Sequence, residues 1–252
     1  MAEAPVALIN YYIRNDYCRH AQTVCNEVLK KRQNDPMMLF WRAVAMLKEG
    51  QPSEAVRELE GMARRADAQM SLPIKIALLH SHRACKVVDN EAVARLEDEL
   101  MSGEEDTAPD RARLTAAQLF WHLGEIYDAK KHVGAILRLQ PSSVPALTLS
   151  GWLELALAEN ELVGIKFNDP LCNGDPSEEF EAAGGFFEKA QAATGGKKDL
   201  EASMGQARLA HMQERYKEAL DCLSQVRGSP PKSHPPPPPP TPTPQPLTWR
   251  HM

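Results

Sequence analysis

The pattern of apolar and polar positions is helical from Val6 to about Arg227. Its clearest stretch is 36–49, where Leu39, Phe40, Ala43, Val44, Met46 and Leu47 recur at i, i+3, i+4 spacing, the stripe of a helix with one buried face. Asp35 followed by Pro36 supplies an N-cap and a first-turn residue, and Gly50 stops the helix. A second helix starts at Ser53 with Ala55, Val56, Leu59 and Met62, so 36–66 reads as helix, tight turn, helix. The same unit recurs as a helix over 114–123, a turn at Gly124-Glu125-Ile126-Tyr127, a helix over 128–139, and Pro141. Period-two alternation is nearly absent, and the pattern predicts an all-α fold.

Aligning the units on the alanine near the start of each second helix gives Ala21, Ala55, Ala92, Ala129, Ala183 and Ala219, separated by 34, 37, 37, 54 and 36 residues. One helical turn later each has an apolar residue: Cys25, Leu59, Leu96, Val133, Phe187 and Leu223. A small residue precedes four of the six alanines on the first helix: Ala43, Ala117, Ala207 and, after one insertion, Gly151. Ile9 and His80 break that pattern. Antiparallel helices approach closely only where side chains are small. The small residue is therefore expected to face the alanine, with the later apolar residue filling the seam toward the next unit. Near-constant spacing and short connections favour stacked hairpins over an irregular bundle. This is the tetratricopeptide-repeat (TPR) pattern, with Pro141 in the terminal proline place of the fourth unit. The expected fold is a TPR-like right-handed α-solenoid of about six hairpins over 1–227, its third unit the loosest.

The fifth unit carries an insertion. A helix over 143–159 is followed by the turn-rich stretch 160–176, with Gly164, Asn168-Asp169-Pro170 and Asn173-Gly174-Asp175-Pro176, expected to be a surface loop. A helix over 177–193 follows, and Gly184-Gly185 inside it predicts a kink or a close helix approach. Beyond Gly228 the chain turns to prolines, six of them consecutive from Pro235 to Pro240. Residues 228–252 are expected to form a disordered, partly polyproline-II tail. The array as read stops near Arg227 without a polar closing helix, as the front end of a longer scaffold would, and residues 1–227 alone are expected to be poorly soluble or to self-associate.

Composition agrees with this picture and removes other classes. The 252 residues are 43% hydrophobic and 25% charged, with a net charge of −5, which argues against nucleic acid as the main partner. The first ten residues lack a secretory signal pattern, and no stretch is apolar enough to insert in a membrane. Five cysteines, Cys18, Cys25, Cys85, Cys172 and Cys222, form no C-x-x-C pair and imply a reducing compartment.

Candidate chemistry is sparse. His80 and His82 sit two apart on a helix and face different ways, so with Cys85 they make no metal site. No nucleophile elbow, phosphate loop or dinucleotide fingerprint occurs, so neither catalysis nor a cofactor is expected. In the tail, Lys232, Pro235 and Pro238 have the spacing of an SH3-domain ligand.

Two segments are more specific than the repeat residues: Leu8-Ile9-Asn10-Tyr11-Tyr12 with Asp16-Tyr17, and Leu119-Phe120-Trp121-His122-Leu123-Gly124 with Asp128-Ala129-Lys130. With Phe40-Trp41-Arg42-Ala43 and Glu54-Ala55-Val56 in the same register, they resemble the N-terminal portion of the large TPR subunit of intraflagellar transport complex A, over about Val6 to Val226. The resemblance implies a non-catalytic scaffold in a ciliary complex, acting in retrograde transport and ciliary protein trafficking. It also implies other subunits of that complex as partners and a place in the cytoplasm, cilium and basal body. Asn10, Arg42 and Glu154 are candidate inner-face groups. The alternative is a chaperone adaptor that clamps peptide C-termini. Its clamp places hold Val6, Asn10, Phe40 and Val44, and only Asn10 has suitable chemistry.

Overall fold

The computed structural model describes residues 3–65, 67–104, 107–166, 175–195 and 199–227. Among them are twelve α-helices and no strand: α1 (Glu3–Arg14), α2 (Cys18–Lys31), α3 (Pro36–Lys48), α4 (Pro52–Ala63), α5 (Ala68–Ala84), α6 (Asn90–Glu99), α7 (Asp110–Leu123), α8 (Ile126–Leu139), α9 (Val144–Lys166), α10 (Ser177–Ala193), α11 (Leu200–Met212) and α12 (Tyr216–Arg227). Taken in pairs they form six antiparallel hairpins of a TPR-like solenoid. Cys172, the SH3-type spacing and the whole proline-rich stretch lie outside the described residues.

The helix starts follow from local chemistry. Asp35, Asp67 and Asp199 cap the first helices α3, α5 and α11, each carboxylate accepting from backbone N–H groups of the first turn. The turns inside hairpins one, two, four and six share one geometry. Asp16, Gly50, Gly124 and Glu214 have positive φ of 59°, 82°, 86° and 60°. Each stands five residues before its hairpin's alanine, Ala21, Ala55, Ala129 or Ala219. The next residue's N–H then reaches back to the first helix: Tyr17 to Tyr12, Gln51 to Met46, Glu125 to Phe120 and Arg215 to Ala210, at 2.8–2.9 Å. This is the Schellman closure of a helix C-terminus, and its repetition fixes how tightly each hairpin folds back.

The two remaining hairpins depart from that geometry. In the third, the short α6 runs into a π-helical turn, Leu100–Glu104, and α7 packs directly on α5. In the fifth, α9 does not stop at Glu159 but continues to Lys166. Residues 160–166 of the loop expected over 160–176 are therefore helical, and 167–174 lie outside the described residues. Asn160 and Gly164 cost helix propensity, yet Glu161, Leu162 and Val163 between them let the helix run on. Helix α10 runs unbroken through Gly184-Gly185, and Gly184 lies close to α11, where an added β-carbon would meet Leu209 at 3.4 Å.

The first helices of successive hairpins also touch one another, α1 with α3, α3 with α5, α5 with α7, α7 with α9 and α9 with α11. They form one layer, and the second helices form the other. Three apolar clusters fill the space between: one from Ile9 to Leu119, one around Ala129, Val133 and Leu153, and one around Phe187 and Leu209. Trp41, Phe40 and Phe187 are the largest side chains fully withdrawn from water.

Candidate functional site

The register residues occupy the seams of this double layer. Ala21, Ala43, Ala55, Leu59, Ala92, Leu96, Ala117, Ala129, Val133, Gly151, Ala183, Phe187, Ala207 and Ala219 are all buried. Gly151 meets Phe187, one turn beyond Ala183: a β-carbon on Gly151 would stand 2.5 Å from the Phe187 ring. The same ring also meets Gly205 of α11, two residues before Ala207 and not part of the repeat pattern. The signal in the sequence was a glycine inside a helix with no stop beside it. Pro141 is exposed in the turn after α8. Leu223 departs from its expected seam position. It is 46% exposed because no helix among the described residues lies against that face of α12, where Tyr216 and Leu220 are exposed as well.

The layer of first helices curls until its members meet across the hollow. Asn10 of α1 and His122 of α7, 112 residues apart, are joined at 3.1 Å between Asn10 Oδ1 and His122 Nε2. Oδ1 accepts, so the ring is the Nε2–H tautomer. One residue row further along, the Arg14 guanidinium stands 4.5 Å from the ring centroids of both Trp121 (α7) and Trp152 (α9). The two indoles are 6.2 Å apart and tilted by 33°. Around them runs a continuous aromatic row. Trp41 meets His122 edge to face at 5.6 Å, His122 stacks beside Trp121, and Trp152 meets Phe187 at 6.0 Å.

The electrostatics follow from enclosure. Burial, reinforced by Arg14 and Lys48, brings His122 down from 6.5 to about 3, so the ring is neutral. Arg14 is solvent-exposed as a residue, yet protein walls its guanidinium on most sides. Burial lowers its pKa against the pull of Glu201 and Glu159.

Of the three groups expected on the inner face, only Asn10 points across the hollow. Arg42 turns toward the second helices instead, bonding Glu58 of α4 through Nε (3.1 Å) and Asn26 of α2 (2.9 Å). Glu154 is buried and accepts from Lys130 of α8 at 3.0 Å. Both face inward between layers because only there do they find opposite charge. At the adaptor's clamp places Phe40 and Val44 are wholly buried and Asn10 is spent on His122, which leaves no cradle for a carboxylate. His80 lies 3.5 Å from Glu125, and His82 is buried. No cluster of metal-ligating side chains occurs among the described residues, and no helix among them is long and apolar enough to cross a membrane.

The family described as "Tetratricopeptide repeat protein 21 N-terminal ARM repeat" matches residues 9–236. The chain belongs to this family. It is 28% identical to tetratricopeptide repeat protein 21B of Xenopus laevis over 218 residues, and 28% identical to tetratricopeptide repeat protein 21A of Homo sapiens over 221 residues. Those alignments cover 86% and 88% of this chain but 15% of each relative. The chain thus corresponds to a small part of their length. Among solved structures, an IFIT1 monomeric mutant with Gppp-AAAA superimposes with a TM-score of 0.50 at 14% identity, covering 86% of this chain and 47% of that one. That likeness is one of helical-repeat fold.

Proposed function

We propose that the chain is a non-catalytic protein-binding scaffold of the intraflagellar transport A type, acting in retrograde transport and ciliary protein trafficking with other subunits of that complex. The observation that carries this reading is the family match over residues 9–236. The double-layered solenoid supports it: repeat arrays of this kind present extended concave and edge surfaces for partners. The proposal extends to the cytoplasm, cilium and basal body as the sites of action, and to the tail spacing Lys232, Pro235, Pro238 as a ligand for SH3-type domains.

Affinity purification of the tagged chain from ciliated cells, followed by mass spectrometry, tests the assignment. Recovery of the other subunits of the complex is the expected result. If a full-length relative purified in parallel recovers them and this chain does not, the assignment fails.

A further inference from the structure

Arg14 is the last residue of α1 and is exposed to solvent. Among the described residues its side chain makes no hydrogen bond and no ion pair; the faces of Trp121 and Trp152 hold its guanidinium. The slot is therefore complete without Arg14's backbone. It consists of two indoles from different helices, each partly open to the hollow, with the carboxylates of Glu159 and Glu201 close enough to favour a cation there. Arg208 is the opposing charge, and Glu159 engages it at 2.6 Å. Indole faces attract guanidinium through the ring quadrupole and offer it planar stacking.

We propose that the Trp121–Trp152 slot is a guanidinium-binding site on the concave face, filled in cis by Arg14, that receives an arginine side chain of a partner protein segment when Arg14 leaves. Among the described residues no hydrogen bond or ion pair of the side chain holds the occupant in place. A partner arginine can fill the same slot, where the negative charge of Glu159 and Glu201 favours a cation. The inference rests on the scaffold reading only for the source of the arginine.

The test is a titration of the whole chain with N-ethylguanidinium, followed by the indole N–H resonances of Trp121 and Trp152, each assigned with its Trp→Phe variant. In Arg14→Ala both resonances are expected to shift saturably, with a dissociation constant on the order of 10 mM for so small a cation. The uncharged N-ethylurea is expected to leave them unmoved. The wild-type chain should respond at least tenfold more weakly, its slot being occupied. A short peptide with one central arginine should follow the same order, and its citrulline analogue should not bind. Absence of saturable shifts in Arg14→Ala, equal shifts with N-ethylurea, or equal responses of wild type and Arg14→Ala would each overturn the proposal. Arg14→Gln, which keeps most of the stem and loses the charge, carries the same titration if the alanine variant folds poorly. Because the readout is a small-molecule titration, it succeeds or fails independently of which subunits the chain recovers from cells.

Discussion

Phe187 of α10 and Gly205 of α11 share a space that holds only one side chain: a β-carbon on Gly205 would stand 2.2 Å from the Phe187 ring. Gly205→Ala is expected to destabilise the fold by about 1–3 kcal/mol through overpacking, read as a lower urea midpoint with unchanged slope. At Gly185 a β-carbon meets nothing within 4 Å. There Gly185→Ala is expected to stabilise by about 0.5–1 kcal/mol, as replacing a helix-interior glycine does. Effects of the same sign at both positions would refute the keyed ring.

Glu214 holds φ of 60° at the place where hairpins two and four use Gly50 and Gly124. A side chain in this left-handed region costs roughly 1–2 kcal/mol. Glu214→Gly is therefore expected to raise stability by about 1 kcal/mol, and Gly124→Ala to lower it by a similar amount. Space is not the cause at Gly124, where a β-carbon would meet nothing. Thermal unfolding of the two variants checks both signs.

His122 titrates near 6.5 when unfolded and near 3 in the fold. Between those values the unfolded chain binds a proton that the folded chain refuses. The stability linked to His122 is complete above pH 6.5 and drains away as the pH falls toward 3, by up to about 1.4 kcal/mol per pH unit. His122→Gln keeps a donor for Asn10 but does not titrate. From pH 7 to pH 5 the wild type is expected to lose roughly 2 kcal/mol relative to that variant. Parallel urea-unfolding profiles would show that the ring is charged in the folded chain.

Arg42 ties three helices together through Glu58 and Asn26. Arg42→Ala is expected to cost about 1–3 kcal/mol, since it strips a half-buried carboxylate of its partner. Arg42→Lys should recover only part of this, because an ammonium cannot engage both groups in the fork geometry. Full recovery in equilibrium unfolding would mean that charge alone matters at this site.

The seams were legible in the sequence because one alanine in each hairpin, from Ala21 to Ala219, repeats at a local period. The turn at Gly50 and Gly124 announced itself by residue type. Its equivalents at Asp16 and Glu214 did not, since glutamate has no preference for positive φ and aspartate only a weak one. Tertiary packing imposes it there. Gly205 was hidden because the pattern already offered Ala207 nearby. The contacts across the hollow were beyond reach altogether: Asn10 and His122 share no period, and Arg14 carries no sign that two indoles await it. The inner-face assignments of Arg42 and Glu154 rested on helix phase alone, and opposite charges at Glu58 and Lys130 decided them otherwise.

The bond between Asn10 and His122 has a kinetic consequence. In a straight repeat array each unit contacts only its neighbours, so folding can begin anywhere and the ends fray independently. Here the first helix reaches its final surroundings only when the fourth and fifth hairpins have formed, at the cost of closing a loop of 112 residues. On the ribosome the first hairpin emerges long before its distant partners and must wait for them. Once closed, the row behaves as a ring, and loosening α9 loosens α1 with it.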